Sequence, residues 1–315
     1  MHGWYCGWEA GLTHAVTVPS VVKNLAKRRC MKMHDPGISG QLDAIIQVLD
    51  GAHGLDISPY DKAFLAKSLE KRLTATGIKT AAAYGEYLGE HRAEADALFE
   101  SLSIAYSVFF RDPLTFALIE QVILPSLVAA AEIAGRGEIR VWSAGCAAGQ
   151  EAYSVAILLD ELATVRCNPV AFRIFATDRS EAELAAARKG VYDVAAVQNV
   201  RLKHILGCFS TKGDSCKISS RIKDRVDFSS HDLLDERSAS PSASIYGDFS
   251  LILCGNLLFY YRPEIRQRIL NKVCRALSPG GYLVTGEAEG DIVARQRGLR
   301  AVTPSAVVFQ KRGDA

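Results

Sequence analysis

A glycine loop and the carboxylates around it carry the chemistry legible in this chain. After Glu138 the short apolar strand Ile139-Arg140-Val141-Trp142 breaks into Ser143-Ala144-Gly145-Cys146-Ala147-Ala148-Gly149 and reopens as a helix at Gln150-Glu151. Such a loop can seat a nucleotide-sized ligand, because glycine lets the backbone approach where a Cβ would collide. The spacing is not the GxGxxG of dinucleotide enzymes, and Glu151 stands where a pyrophosphate would have to sit. A carboxylate repels phosphate but accepts hydrogen bonds from an amine or a ribose. A cofactor without phosphates fits better, and S-adenosylmethionine is the common one. Taken alone, the loop reads equally well as a plain strand–loop–helix junction.

More polar groups arrive at strand ends. Phe172 to Asp178 is a second strand closing on a carboxylate, the position from which open α/β sheets hold ribose hydroxyls. Val226 to Ser230 runs into His231-Asp232, so Asp232 is a candidate acceptor for an adenine amino group. The continuously apolar run Phe249 to Cys254 is of the kind buried on both faces of a parallel sheet, and it exits into Gly255-Asn256-Leu257-Leu258-Phe259-Tyr260. A single aspartate at such a place is most often a loop or capping carboxylate. Three strand exits in succession favour a shared ligand edge.

The elements needed to position these residues follow from periodicity. Arg262-Pro263-Glu264 opens a helix whose Ile265, Ile269, Val273 and Leu277 form one stripe, Pro279-Gly280-Gly281 stops it, and Gly281–Thr285 and Ala306–Gln310 read as the last strands. Alternating strands and helices predict an α/β, doubly wound, mostly parallel sheet over residues 104–315. Residues 36–103 read as a separate all-helical unit, marked by Leu42, Ile45 and Leu49, then Leu65, Leu69 and Leu73, then Tyr84, Tyr87 and Leu88, then Ala95 to Phe99. Lys67 and Lys71 share the side of the second helix away from its leucines, with Arg72 at the margin. They form either a solvated face or a docking face for an acidic partner. The stretch 205–225 interrupts the alternation with a hairpin around Lys212-Gly213-Asp214.

Taken in order, the blocks Phe109-Phe110-Arg111, Trp142-Ser143-Ala144 with Gly149-Gln150-Glu151-Ala152-Tyr153-Ser154, Phe175-Ala176-Thr177-Asp178, Phe228 to Leu234, and Asn256 to Tyr260 resemble the CheR-type chemotaxis receptor glutamate methyltransferases. The resemblance covers roughly residues 40–310. It implies a Rossmann-like S-adenosylmethionine methyltransferase domain beside a small helical domain, and methyl transfer to glutamates on the cytoplasmic helical bundle of transmembrane receptors. It also implies cofactor contacts from Ser107, Arg111, Glu151, Asp178, Asp232, Leu233, Asn256 and Leu257, with Arg111 and Tyr260 facing the reacting glutamate. Where the family usually reads Asn-x-Thr-x-Phe-Phe-Arg, this chain has Ala105-Tyr106-Ser107-Val108 before Phe109, so a hydroxyl survives and an amide is gone. The family's inserted β-subdomain can bind a receptor's carboxyl-terminal pentapeptide as an added strand. The short insertion here points to a chain that does not use that tether.

The reaction class can be argued independently. A glutamate carboxylate is already nucleophilic at neutral pH, so attack on a sulfonium methyl needs no general base, only dehydration, alignment and a near-attack distance. An arginine can hold the carboxylate in a plane, and a tyrosine adds a neutral donor. An alternative is methyl transfer to another carboxylate, and a second is a catalytically idle receptor-binding module, for which Ala105 is the hint. The net charge of +2 gives no pull toward nucleic acid, and 49% hydrophobic residues suffice for a core. Eight cysteines without a CxxC pair fit reduced thiols in a cytoplasmic protein, and no metal site is expected. Residues 1–35, which hold Met1, Met31 and Met33, read as an unstructured extension. No run of about 18 apolar residues for a spanning helix is evident, and a monomer is expected.

Overall fold

The computed structural model describes residues 36–103, 107–133, 135, 138–165, 171–244, 247–304 and 306–313. The extension 1–35 and Ala105 lie outside them.

Among the described residues, four helices make up the amino-terminal unit: Pro36–His53, Lys62–Thr76, Ala81–Glu90 and Arg92–Ser101. Their ends are written in the sequence. Asp61 caps the second by accepting from the amides of Ala63 and Phe64, Gly77 ends it in the left-handed region, and Thr80 caps the third. Leu42, Leu49, Leu69, Tyr84 and Leu88 meet in the interior as their spacing requires. Tyr87 does not follow its helical neighbours inward: it is half-exposed and stacks on His91.

Among the described residues ten strands form: β1 (Glu138–Ala144), β2 (Ala171–Asp178), β3 (Val191–Asp193), β4 (Phe209–Lys212), β5 (Ser215–Ile218), β6 (Val226–Ser230), β7 (Phe249–Cys254), β8 (Leu277–Thr285), β9 (Leu299–Ala301) and β10 (Val308–Lys311). Seven form one sheet in the order β6-β2-β1-β7-β8-β10-β9. It is parallel from β6 to β8, and β10 runs antiparallel to both β8 and β9. The expected α/β, mostly parallel sheet is therefore present, with an antiparallel edge. From β1 the chain builds outward through β2 and β6 on one side and then through β7 and β8 on the other. The strand order thus reverses at the carboxyl end of β1, where such sheets open a crevice. The interior positions of β1 and β7 are almost all buried, because helices cover both faces.

The helix Pro113–Ile133 corrects one expectation, since it is long and apolar enough to cross a membrane by length and composition. Phe116, Ile119, Ile123, Leu124, Leu127 and Val128 bury one side of it in the core under the sheet. Its turn Ile119–Ile123 is a π-helix, in which the amide of Leu124 reaches back to the carbonyl of Ile119. The cause is next in sequence: Pro125 has no N–H to continue the ladder. The hairpin predicted around Gly213 is formed by β4 and β5, and β3 adds to it as a third strand in the order β3-β5-β4.

Candidate functional site

The loop after β1 is held by β2. The carbonyl of Thr177 accepts from the amides of Gly145 (2.8 Å) and Cys146 (2.9 Å), and Asp178 Oδ2 accepts from the amide of Ala147 at 2.9 Å. Gly145, at φ 76°, lines the cleft that results. Gly149 serves a different purpose from the one its motif suggests. At φ 87° a Cβ there would stand 2.9 Å from the ring of Phe228, so it permits packing of the helix start against β6 instead of approach to a ligand.

Two adjoining cavities occupy the crevice. One of about 190 Å3 is lined by Ser107, Arg111, Glu151, Asn256 and Tyr260, among others. The second, of about 100 Å3, is lined by Asp178, Asn256, Leu257 and Tyr260 together with Tyr60 and Arg179. They share Gly145, Ala147, Gly255, Asn256 and Tyr260. Seven of the nine residues selected from the sequence thus face one continuous cleft. The other two, Asp232 and Leu233, line neither cavity. Asp232 Oδ1 accepts from the amide of Leu234 at 2.8 Å in a local turn, the commoner use of a loop aspartate, and Leu233 packs half-buried on the core.

The electrostatics single out Glu151. Burial pushes its carboxyl up from the ordinary 4.5 to about 7, the hydrogen bond from Ser143 (3.0 Å) opposes this, the charge of Glu289 adds to it and Arg111 offsets part. An enclosed carboxylate held this far from its preferred ionisation is suited to a cationic ligand, and it rejects phosphate. Asp178 differs: its two oxygens already accept from the amides of Ala147 and Ser180, so it fixes the loop as well as facing the cleft. Burial raises the Tyr260 phenol, partly offset by the Arg111 charge, which keeps it a neutral donor at physiological pH. Asp112, the sequence neighbour of Arg111, caps the helix at Pro113 by accepting from the amide and hydroxyl of Thr115.

The backbone before Arg111 is unusual. Phe110 sits at φ 51°, held by its amide to Ser154 Oγ (3.0 Å) and by Asn199 Nδ2 on its carbonyl (3.4 Å). Tyr260 belongs to the turn Leu258–Tyr260 and is tied to the helical unit: the amide of Asp61 donates to its carbonyl at 2.8 Å, and Tyr60 pairs with Tyr261 in an isolated antiparallel bridge with stacked rings. Arg179 completes the join, donating to the Tyr60 hydroxyl at 2.8 Å and lying 4.7 Å over the Phe99 ring. Beyond Tyr260 the cleft meets a groove of about 630 Å3 on the helical unit, lined by Phe64, Lys67, Lys71, Phe259 and Tyr260. Arg72 is not part of it, being paired with Glu94, which also accepts from Tyr84.

Sequence reasoning missed Glu289, Tyr60 and Arg179. Only Glu289 had a signal, its three-residue spacing from Gly286 at the start of a turn, and that spacing is common.

A buried carboxyl at Glu151, a second carboxylate at the exit of β2 and a glycine-lined crevice fit S-adenosylmethionine. The family comparisons agree. Residues 106–303 match the model described as CheR methyltransferase, SAM binding domain, and residues 40–103 match its all-alpha domain. An uncharacterised 104.1 kDa protein of Rhodobacter capsulatus is 28% identical over 86% of this chain, which spans only 28% of that protein's length. Chemotaxis protein methyltransferase 1 of Pseudomonas aeruginosa is 31% identical over 73% of this chain and 82% of its own. The chemotaxis protein methyltransferase of Borreliella burgdorferi is 28% identical over 79% of this chain and 87% of its own. With both of its structural units matched in order, the chain belongs to the CheR methyltransferase family and takes S-adenosylmethionine as its cofactor.

Proposed function

We propose that this methyltransferase esterifies glutamate side chains on the cytoplasmic helical bundle of chemotaxis receptors. The observation that carries the reading is the place of Tyr260, which lines the cofactor cleft on one side and the lysine-bearing groove on the other. A substrate lying in that groove meets Lys67 and Lys71 along its length and reaches the cleft at Tyr260 and Arg111. An acidic helix presenting a glutamate suits this arrangement. S-adenosylmethionine, once bound, supplies an electrophilic methyl on a cationic sulfur, whose carbon–sulfur bond breaks as the ester bond forms.

The protein's own part is alignment. Arg111 holds the carboxylate in a fixed plane, and Tyr260 donates to it without quenching the nucleophile as a second cation would. Glu151 would hold the ammonium end of the cofactor, Asp178 its ribose, and Asn256, Leu257 and Ser107 the remainder. No residue need take a proton, because the attacking carboxylate is ionised and the product ester is neutral. Charge is lost on the way to the transition state, so the enclosure around Glu151 and Tyr260 favours the reaction. On this reading the enzyme works in the cytoplasm as a monomer and without the peptide tether.

The test is transfer of radiolabelled methyl to receptor-containing membranes, with release of the label by mild base. Base-labile label on receptor glutamates is the expected result. Label retained after base, or found only on other molecules, would redirect the assignment to a different acceptor.

A further inference from the structure

Glu289 is fully buried, and the methyl-transfer chemistry does not use it. It ends the single turn Glu287–Glu289 that follows β8, and five donors converge on its carboxylate. Oε2 accepts from the amide of Asn256 (2.8 Å), the hydroxyl of Thr285 (2.9 Å) and the amide of Gly286 (3.0 Å). Oε1 accepts from the amides of Leu257 (2.7 Å) and Leu258 (2.5 Å). Three donors come from the loop leaving β7 and two from the exit of β8, so one side chain clamps two neighbouring strand ends.

The clamped loop needs support. Asn256 sits at φ 59°, in the left-handed region that asparagine enters more readily than most residues but that still departs from the regular strand path. Three consecutive amides turned toward one buried point would be unsatisfied without an anion there. The two strand exits are also pressed together: a Cβ on Gly286 would stand 2.8 Å from the Asn256 nitrogen, and one on Gly255 3.2 Å from the Gly286 nitrogen. Asn256, Leu257 and Tyr260 therefore owe their places in the cleft to a carboxylate that never reaches it.

We propose that Glu289 is a positioning residue, acting through the 256–258 backbone to set the cofactor-facing loop and the turn that carries Tyr260. The inference rests on the reading of this cleft as the methyl-transfer site. Its first readout is cofactor affinity, so a chain that methylates some other acceptor would leave it standing.

Glu289→Gln keeps the shape but turns an amide nitrogen toward donors. Calorimetry should show S-adenosylmethionine bound at least about tenfold more weakly, the scale of a lost hydrogen bond to a charged group. The turnover number at saturating cofactor should fall as well. Val293→Ala, in the helix Gly290–Val293, shortens a buried side chain nearby without touching the loop's hydrogen bonds, and should lower the melting temperature with affinity unchanged. If the glutamine variant does not fold, Thr285→Val removes one of the five donors and should weaken binding by about twofold to fivefold. Wild-type affinity in the folded glutamine variant, or in Thr285→Val where that one fails to fold, would overturn the proposal. So would an equal loss of affinity in Val293→Ala at a matched loss of melting temperature.

Discussion

The ionisation of Glu151 makes cofactor binding a function of pH. With a value of about 7 in the free protein, roughly a tenth of the carboxyl is ionised at pH 6 and roughly nine tenths at pH 8. If the bound ammonium requires the carboxylate, the dissociation constant should rise about tenfold from pH 8 to pH 6, and binding at pH 7 should release about half a proton. The sign for folding runs the other way. Because burial raises the folded-state value above the ordinary 4.5, the stability contributed by this group is complete below that value and is lost as pH climbs through about 7. The cofactor should therefore raise the melting temperature more at pH 8 than at pH 6. Calorimetry in buffers of different ionisation enthalpy counts the protons. Glu151→Gln serves as the control for titration of the ligand's own amine, since its residual pH dependence contains only that. A wild-type profile parallel to that of the glutamine variant between pH 6 and 8 would refute the assignment of Glu151 to the ammonium.

Three other outcomes are expected. Arg111→Ala should slow methyl-ester formation by at least about a hundredfold at saturating cofactor, with lysine rescuing only part, because a point charge cannot reproduce the planar fork; near wild-type initial rates for both would remove its role. Asp178→Ala should weaken cofactor binding by about 1 to 3 kcal/mol, with the loss of its bond to the Ala147 amide included, and unchanged affinity in a folded variant would reassign the ribose contact. Replacing Lys67 and Lys71 together by alanine should raise the KM for receptor membranes about fivefold at low salt and converge on wild type at high salt, leaving cofactor affinity alone; a salt-independent effect would argue against electrostatic docking.

The parts of this fold legible in sequence are those whose cause is local. The strand β7 announced itself through a continuously apolar run, β1, β2 and β6 through short apolar-rich segments that close on polar exits, and the helix Pro263–Ala276 through its stripe at Ile265, Ile269 and Val273. The strands β3 and β9 did not, being three residues long, too short for any period to register. The site divides the same way. Asp178 and Asn256 stand at strand exits and Glu151 in the first turn of the helix Gln150–Val165 that follows β1, and topology alone carries them to one edge. Asp232 stands at a strand exit too, but its carboxylate turns back on its own chain at Leu234, an alternative open to every loop aspartate.

What was not legible depends on contacts between distant segments. Gly149 looked like a ligand-approach glycine, yet the space it frees is taken by Phe228 from β6. Arg72 looked like the margin of a charged face, yet Glu94 and Tyr84 draw it inward. Tyr260 carries the argument furthest, since its motif announces the residue but not its supports. Asp61 holds its carbonyl from one side, the Tyr60–Tyr261 bridge anchors the next residue, and Glu289 grips the amides that lead into its turn and the first amide of the turn itself. Those three supports come from the helical unit and from the far end of the chain. The residue that joins the cofactor cleft to the groove on the helical unit is thus fixed by both structural units at once, so the helical unit helps to build the site as well as flank it.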